Sequence, residues 1–352
     1  MTGLADDPDA AFFNPAGLAF QSGIGANASY ADWLPGLYPG MDFAYAGWKW
    51  SMPAELASRH SHLAVGLDAT YFHPGEFDMW VEPPFRPPVV SWRGAAGVTV
   101  ALRPLNHIGI GLKAKFIHSY WVPEWIWKSM PEVGADDGST GNTWAADFGV
   151  LWKPSSRFSL GGNVTNLGPG ISYPDQNRHD PSPTMLRLGA CWTPVSDGYV
   201  RINVLPEFDK LLVGMFFDTA DTRTFGQELQ MELSDAWKTL AVEVTGLGLV
   251  TMRLAYFEDR AWQRGGFVYE TFGGTYHYTL YDLLTRNSLG KFKSIGLCWG
   301  FGIGYKDYFR FDVSSDAAIY DFDTSNWKLS LVANDIAGGI RELRQGHVPW
   351  EE

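Results

Sequence analysis

Hydrophobic and polar residues alternate with a period of two along most of this chain. In segment 294–306 one face carries Ile295, Leu297, Trp299, Phe301, Ile303 and Tyr305. The same alternation recurs in 107–116, 143–152, 185–193, 239–245 and 327–333. Since successive side chains of a strand point to opposite sides, this period predicts β-strands and not helices.

The second face of these segments is rich in glycine and carries isolated charges in mid-strand. In 107–116 it consists of Gly109, Gly111, Lys113 and Lys115. A strand half-buried in a soluble sheet also alternates, but a sandwich would place long polar side chains on its solvent face. Glycine-rich inner faces with scattered charges better suit the narrow, filled lumen of a β-barrel.

Fourteen strands are predicted, an even number as a single-chain bacterial barrel requires. Their expected positions are 24–33, 41–50, 62–72, 89–103, 107–120, 143–153, 158–167, 184–193, 198–206, 237–245, 249–258, 292–305, 308–315 and 326–334.

Short and long connections alternate from the third strand onward. Tight links such as 104–106, 154–157, 194–197, 246–248 and 306–307 separate long links at 74–88, 121–142, 168–183, 207–236, 259–291 and 316–325. Outer-membrane barrels have short periplasmic turns and long external loops. The predicted fold is therefore all-β, a 14-stranded antiparallel transmembrane barrel with both ends in the periplasm. Link 51–61 is then an unusually long periplasmic turn.

Composition agrees with a membrane barrel and excludes other classes. Aromatic residues make up 15% of the chain, including 16 Trp, which suits girdles at the two membrane interfaces. The net charge of −12 argues against nucleic acid as a partner. Cys191 and Cys298 form neither a metal spacing nor a disulfide framework. No catalytic constellation is evident, so we predict a non-enzymatic protein with no cofactor and no metal site.

Residues 3–21 precede the first strand and combine apolar aromatic residues with the helix-breaking pair Asn14-Pro15. They form either a disordered leader or a plug inside the lumen. We expect residues 1–22 to be a hatch, 23–335 the barrel and 336–352 a polar C-terminal tail. No export signal is evident, so we expect it to have been removed or to lie upstream.

The hatch segment resembles a known family. The run from Ala5 to Ala19, with Asp7, Pro8, Asn14, Pro15 and Ala16 as its motif, resembles the N-terminal signature of the FadL superfamily, in particular its PorV/PorQ branch. Further matching stretches follow in order at 161–169, 183–189, 251–257, 301–305, 311–314 and 327–331. The resemblance implies a 14-stranded outer-membrane barrel with a hatch, in agreement with the strand count.

Two sets of candidate functional residues follow from this topology. The first set comprises charges expected to face the lumen, either as a filling network that holds the hatch or as a conduction path: Asp68, Arg93, Lys113, Lys115, Asp147, Arg187, Glu243, Arg253, Arg310 and Asp312. The second set comprises aromatic residues of external loops, expected either to anchor in the outer leaflet or to contact a partner: Phe77, Trp80, Phe85, Trp121, Trp125 and Trp127.

Two functions remain open. The PorV resemblance implies protein transport, with the external loops binding the translocon of a type IX secretion system or cargo recognised by its C-terminal domain. The wider superfamily implies a FadL-like channel for hydrophobic small molecules. The first predicts a blocked lumen with aromatic loops that meet a protein. The second predicts an apolar pocket between loops and hatch. Both place the chain in lipid of the bacterial outer membrane.

Overall fold

In the computed structural model the chain forms a closed barrel of fourteen antiparallel strands, which confirms the predicted fold. The structure describes residues 1–34, 40–52, 62–77, 89–120, 140–172, 179–213, 224–316 and 326–345. The barrel strands are β1 (Gly23–Asp32), β2 (Met41–Ser51), β3 (Leu63–Pro74), β4 (Trp92–Leu105), β5 (Ile108–Tyr120), β6 (Thr140–Ser155), β7 (Phe158–Leu167), β8 (Met185–Ser196), β9 (Val200–Leu211), β10 (Trp237–Gly246), β11 (Val250–Asp259), β12 (Leu297–Tyr305), β13 (Phe309–Ser315) and β14 (Trp327–Ala333).

Each strand pairs with its chain neighbour, and β14 pairs with β1 to close the barrel. Among the described barrel strands closure leaves no unpaired edge, as a structure surrounded by lipid requires. The strands differ in length: β5 and β6 have 13 and 16 residues, whereas β13 and β14 have 7 each. The closing seam is therefore the shortest part of the wall.

The two ends of the barrel differ in their connections. Short turns such as the one between Leu105 and Ile108 lie at one end, here called the turn end. The long connections lie at the other end, here called the loop end. Predicted link 51–61 falls almost entirely outside the described residues.

The outward face of the barrel is apolar and exposed. Leu112, Met252 and Leu331 are 58–60% exposed, although they lie in the middle of their strands. Exposed aromatic residues form one ring toward the loop end, made of Tyr30, Tyr71, Phe116, Trp144, Trp299 and Trp327, and another toward the turn end, made of Trp48, Trp152, Phe158, Trp192 and Tyr199. An apolar band between two aromatic girdles is what transmembrane barrels present to lipid.

The remaining elements lie outside the wall or inside the lumen. Helix α1 (Ala10–Phe13) and the 3₁₀ helix Pro15–Phe20 precede β1, while α2 (Phe225–Ser234), α3 (Leu280–Thr285) and α4 (Ile336–Gln345) follow later. Short strands occur at Glu76–Phe77, Val89–Val90, Ile171–Ser172, His179–Asp180 and Arg264–Gly265, and a separate three-stranded sheet comprises Phe267–Thr271, Gly274–Tyr278 and Lys291–Ile295.

Among the described residues, no helix is both long enough and apolar enough to cross a membrane.

The predicted strand 292–305 is wrong in one respect, because it divides at Gly296. Residues Lys291–Ile295 belong to the separate sheet, here called the outer sheet, and only Leu297–Tyr305 belongs to the barrel. The Gly296 N–H donates to the Gly266 carbonyl at 2.7 Å, and a Cβ on Gly296 would lie 2.4 Å from the Gly265 Cα. Period-two alternation continues through such a bulge, so the sequence does not reveal it.

Candidate functional site

Residues 1–22, here called the hatch, lie inside the lumen. Asn14 lies between α1 and the 3₁₀ helix, where its backbone is extended with φ of −159°. Its side chain organises the segment. Its Oδ1 accepts from the Ala16 N–H at 3.2 Å and so caps the 3₁₀ helix, which begins at Pro15. Its Nδ2 donates to the carbonyls of Thr2 and Val150, both at 3.1 Å. One buried side chain thus joins two parts of the hatch to the wall.

Inward glycines of the wall make room for the hatch. A Cβ on Gly161 would lie 2.1 Å from the Thr2 carbonyl oxygen, and one on Gly149 would lie 2.2 Å from Asn14 Oδ1. A Cβ on Gly111 would lie 2.3 Å from the Pro15 carbonyl carbon. These glycines are required for close approach of the hatch backbone and not for backbone freedom. The glycine-rich face of β5–β7 is therefore the seat of the hatch.

Polar side chains of the same wall donate to hatch carbonyls. Asn163 Nδ2 donates to the Phe13 carbonyl at 2.8 Å, Lys113 Nζ to that of Ala11 at 3.2 Å, and Ser159 Oγ to that of Gly3 at 2.5 Å. These bonds satisfy carbonyls that the irregular hatch backbone leaves without secondary-structure partners.

The five motif residues of the hatch occupy different places. Pro8, Asn14, Pro15 and Ala16 are all buried. Asp7 faces the opposite wall, where its Oδ2 accepts from Arg310 Nη2 at 2.8 Å. The Asp7 carbonyl also accepts from Gln21 Nε2 at 2.7 Å, which closes the hatch on itself.

Two buried ion pairs lie on the inner face of β3–β6. Lys113 Nζ contacts Asp68 Oδ2 at 2.6 Å, and Lys115 Nζ contacts Asp147 Oδ1 at 2.7 Å. Lys113 on β5 reaches Asp68 on β3 across the intervening strand β4, where Gly97 leaves the space open. A Cβ on Gly97 would lie 2.5 Å from Lys113 Cε. Pairing of this kind is required because an isolated charge in a confined lumen is costly.

A second ionic network crosses the opposite wall and ends on the hatch. Arg253 contacts Glu243 at 2.7 Å and Asp312 at 2.6 Å, and Arg310 contacts Asp312 at 2.6 Å and Asp7 at 2.8 Å. Here again a strand with inward-facing glycines lies between the partners, since β12 separates Arg253 on β11 from Asp312 on β13. A Cβ on Gly302 would lie 2.3 Å from Asp312 Oδ1. The signs alternate along the network, so each charge has an opposite neighbour.

A cavity of about 240 Å³ lies between the hatch and the loop end, and is here called the loop-end cavity. Phe12 of the hatch forms its floor, with ring centroids 5.4 Å from Tyr45 and 6.3 Å from Phe43. The Arg187 guanidinium lies 5.9 Å from the Phe12 ring, within range of a cation–π interaction. The other lining residues include Phe72, Arg93, Ala95, Ile117, Thr165 and Asn166, together with Asp68, Lys113, Lys115 and Asp147 of the two buried ion pairs.

A second cavity of about 240 Å³ runs between the hatch and β9–β14, and is here called the side cavity. Its lining is charged on both sides, with Asp6, Asp7 and Asp9 from the hatch and Arg253, Arg310 and Lys328 from the wall. The hatch therefore packs tightly against one wall and leaves a polar space along the other.

One ion pair closes the turn end of this second wall. Arg201 Nη1 and Nη2 donate to the two carboxylate oxygens of Asp307 at 3.1 and 2.8 Å. Desolvation by the surrounding protein raises the pKa of Asp307, although its side chain is 66% exposed, but the hydrogen bonds and charge of Arg201 outweigh this effect and hold the pKa below its ordinary value.

The predicted loop aromatics are not placed by the structure. Phe77 lies in the short strand Glu76–Phe77, and the other five residues lie outside the described residues: Trp80, Phe85, Trp121, Trp125 and Trp127.

A folded unit on the loop end, made of the outer sheet and α3, occupies most of the segment that the sequence predicts to be a long connection at 259–291. Glu258 joins it to the barrel, since its Oε2 accepts from the Leu280 N–H at 2.8 Å and from Tyr256 Oη at 2.5 Å. Arg264 pairs with Asp259 at 2.6 Å. Trp262 and Tyr281 of this region are 71% and 62% exposed. The adjacent acidic residues Glu258 and Asp259 at the end of a strand are the feature of the sequence that could have indicated this unit.

Among the described residues, no group of three or more His, Cys, Asp or Glu side chains is arranged to hold a metal ion.

Comparison with known proteins gives similarity to solved outer-membrane barrels. A toluene transporter of Pseudomonas putida, TodX, is 10% identical, with 93% of this chain and 94% of that chain covered and a TM-score of 0.47. The toluene transporter TbuX of Ralstonia pickettii is 9% identical, with 94% of each chain covered and a TM-score of 0.47. A Pseudomonas aeruginosa FadL homologue is 13% identical, with 94% of each chain covered and a TM-score of 0.43.

No family model matches the chain, and no curated protein matches it. At these identities and TM-scores the similarity is too low to assign any property to this chain, and its fold rests on the strand pairings given above. The PorV/PorQ relationship stays a prediction from the sequence.

Proposed function

We propose that this chain is an outer-membrane barrel that admits small hydrophobic molecules through the loop-end cavity, with the hatch as its gate. The loop end then faces the cell exterior and the turn end the periplasm. The observation that carries the proposal is the loop-end cavity itself, a concave space above the hatch. Phe12, Phe43, Phe72 and Ile117 supply its apolar lining, and the paired charges of β3–β6 supply much of the rest. Concave sites lined by aromatic and aliphatic side chains are typical of binding sites for small apolar ligands.

The outer surface supports a membrane location. Exposed Leu112, Met252 and Leu331 would be unfavourable in water but are matched to lipid. Trp144 and Trp152 lie on the same face of β6 and are separated by about 26 Å of strand at about 3.3 Å per residue. Strand tilt shortens this distance along the barrel axis. The height of the apolar band between the two girdles is therefore close to that of outer-membrane barrels, which is about 25 Å.

The volume of the loop-end cavity limits the ligand. At about 240 Å³ it is smaller than the roughly 300–1,000 Å³ of sites for drug-sized ligands. We therefore expect a single-ring or short-chain compound. Because the Phe12 ring forms the floor, displacement of this side chain would open the cavity toward the side cavity and the periplasm while the rest of the hatch stays seated on β5–β7.

Two adjacent substitutions test the proposal. Ala95 lines the loop-end cavity, and Ala96 points outward from the same strand. Ala95→Trp fills the cavity and should weaken binding of toluene, used as a single-ring probe, by at least about tenfold, whereas Ala96→Trp should bind like the wild type. Binding is measured by calorimetry on the purified barrel. Equal toluene affinity in both variants, or no binding by the wild type, would contradict the proposal.

A second candidate follows from the folded unit at the loop end. Trp262, Phe272 and Tyr281 expose large aromatic surfaces there, which suits contact with another protein. This observation favours the type IX secretion role, in which the barrel binds the translocon or cargo. Purification from outer membranes should then recover a large translocon barrel, and Trp262→Ser with Phe272→Ser should release it. A barrel purified alone from cells that express the translocon would exclude this role.

A further inference from the structure

Helix α4, which follows the last strand, packs at the turn end of the barrel against Tyr308 and Phe309. A Cβ on Gly339 would lie 2.7 Å from Phe309 Cε2, so the helix backbone rests directly on this ring. Phe309 alternates on β13 with inward Arg310 and therefore points outward. Asp335 Oδ1 accepts from the Gly338 N–H at 3.2 Å, and Lys306 Nζ contacts Glu342 Oε2 at 3.0 Å. These contacts fix the helix at the rim of the turn end, beside Phe309 of the outer wall.

The helix carries an apolar stripe that no described residue covers. Ile340 and Leu343 are 41% and 52% exposed, and Ile336 precedes them at helical spacing. Arg341 and Arg344 are exposed beside this stripe. A short helix with an apolar stripe and flanking cations has the composition of helices that lie in a membrane interface.

An apolar groove of about 580 Å³ opens on the outer wall next to α4. Small residues of the closing seam, Ala26, Ala28 and Ala333, form a depression between the larger Phe309, Phe311 and Leu331. Phe309 borders the groove and also contacts α4, so the groove and the helix form one continuous surface.

We propose that α4 and this groove form a binding site for a phospholipid of the periplasmic leaflet. The inference rests on the proposed membrane location. An acyl chain would fill the groove, and Arg341 and Arg344 would meet the phosphate of an anionic headgroup. A lipid is the occupant favoured over a protein because the groove continues the exposed apolar band of the wall. The bound lipid would cover the shortest seam of the barrel.

Site-directed spin labelling tests the position of the helix. In a background with Cys191→Ala and Cys298→Ser, a nitroxide is attached at Ile340→Cys, at Gln345→Cys on the opposite side of α4, or at Leu254→Cys in the apolar band. Barrels are reconstituted in vesicles of phosphatidylglycerol and phosphatidylcholine. We expect labels at 254 and 340 to be accessible to oxygen, which partitions into lipid, and the label at 345 to a water-soluble nickel chelate.

The three labels separate failure of this inference from failure of the proposed function. A label at 254 that meets only the nickel chelate would refute the membrane location itself. Labels at 254 in lipid and at 340 in water would refute the lipid site alone. A label at 340 that neither reagent reaches would indicate a protein cover and would also refute it.

Retention of lipid by the purified barrel gives an independent measurement that needs no cysteine. Arg341→Gln with Arg344→Gln should reduce the phosphatidylglycerol retained in native mass spectrometry by roughly tenfold, because each cation adds to attraction for an anionic headgroup. Arg157→Gln, at a turn remote from α4, serves as the matched control. Equal retention by the paired variant and the control would overturn the proposal.

Discussion

The two walls of this barrel hold the same hatch by different means. Strands β3–β8 meet it with glycines and with side chains that donate to its carbonyls, as at Gly161 and Asn163. Strands β9–β14 meet it mainly through charges, as at Arg310 and Asp7, and leave the side cavity between. A dry contact of backbone against glycine has one tight geometry, whereas ionic contacts beside a cavity can be replaced by water. The comparison indicates that a path would open along the second wall while the hatch stays seated on the first.

The largest expected effect comes from breaking the buried ion pair of the first wall. The Lys113 and Asp68 side chains are 5% and 3% exposed, so Lys113→Met leaves a buried carboxylate without its cation. We expect a loss of about 3–5 kcal/mol in the free energy of unfolding, measured by urea titration in lipid vesicles. Adding Asp68→Leu to Lys113→Met should recover most of the loss. A double variant no more stable than the single one would contradict this account of the pair.

A smaller effect is expected from filling the seat of the hatch. Gly161→Val would collide with the Thr2 carbonyl, whereas Gly162 on the outward face has only Leu188 Cδ2 nearby, at 3.5 Å from a Cβ. We expect Gly161→Val to lower the free energy of unfolding by about 1–3 kcal/mol and to expose the N-terminus to protease. Gly162→Val is the matched control. Similar behaviour of the two variants would mean that the hatch does not depend on a close seat.

Cutting the ionic contact of the second wall should cost less stability but open the lumen more. Arg310 is about a quarter exposed in its side chain, so water can replace it beside Asp7 and Asp312. We expect Arg310→Ala to cost about 1 kcal/mol, near the upper end for partly screened pairs. We also expect it to raise single-channel ion conductance in planar bilayers. If Gly161→Val raises the conductance and Arg310→Ala does not, the path opens along the first wall and not along the second.

The smallest effect concerns pH at the turn end of the second wall. Because Arg201 lowers the pKa of Asp307, their pair stabilises the fold above the ordinary aspartate pKa of about 3.9 and loses this contribution as pH falls through the lowered pKa. Asp307 is largely exposed, so the contribution at neutral pH is only a few tenths of a kcal/mol. The difference in unfolding midpoint between wild type and Asp307→Asn should therefore shrink as pH falls below the ordinary aspartate pKa of about 3.9 and vanish once Asp307 is protonated in the folded state. A difference that persists there would exclude this pair as its source.

Much of the wall was predictable because alternation is a local property of a strand. Period two assigned Lys113 and Asp312 to the inner face and Leu112 and Phe311 to the outer face, whatever their neighbours. The same alternation ran through Gly296 and hid the break between barrel and outer sheet. The partner of each inward charge was not predictable, because Lys113 and Asp68 meet across a third strand that lies between them.

The sequence by itself determined the fourteen strands, their two faces and the alternation of short and long connections, since each depends on residues close together in the chain. The tertiary structure alone decided how the hatch is seated, which charges form networks and that α4 packs at the turn end. These features join residues far apart in sequence, such as Asn14 with Val150 and Asp7 with Arg310. Their distances are defined only once the strands have closed into a barrel, because closure fixes the register of each strand against every other.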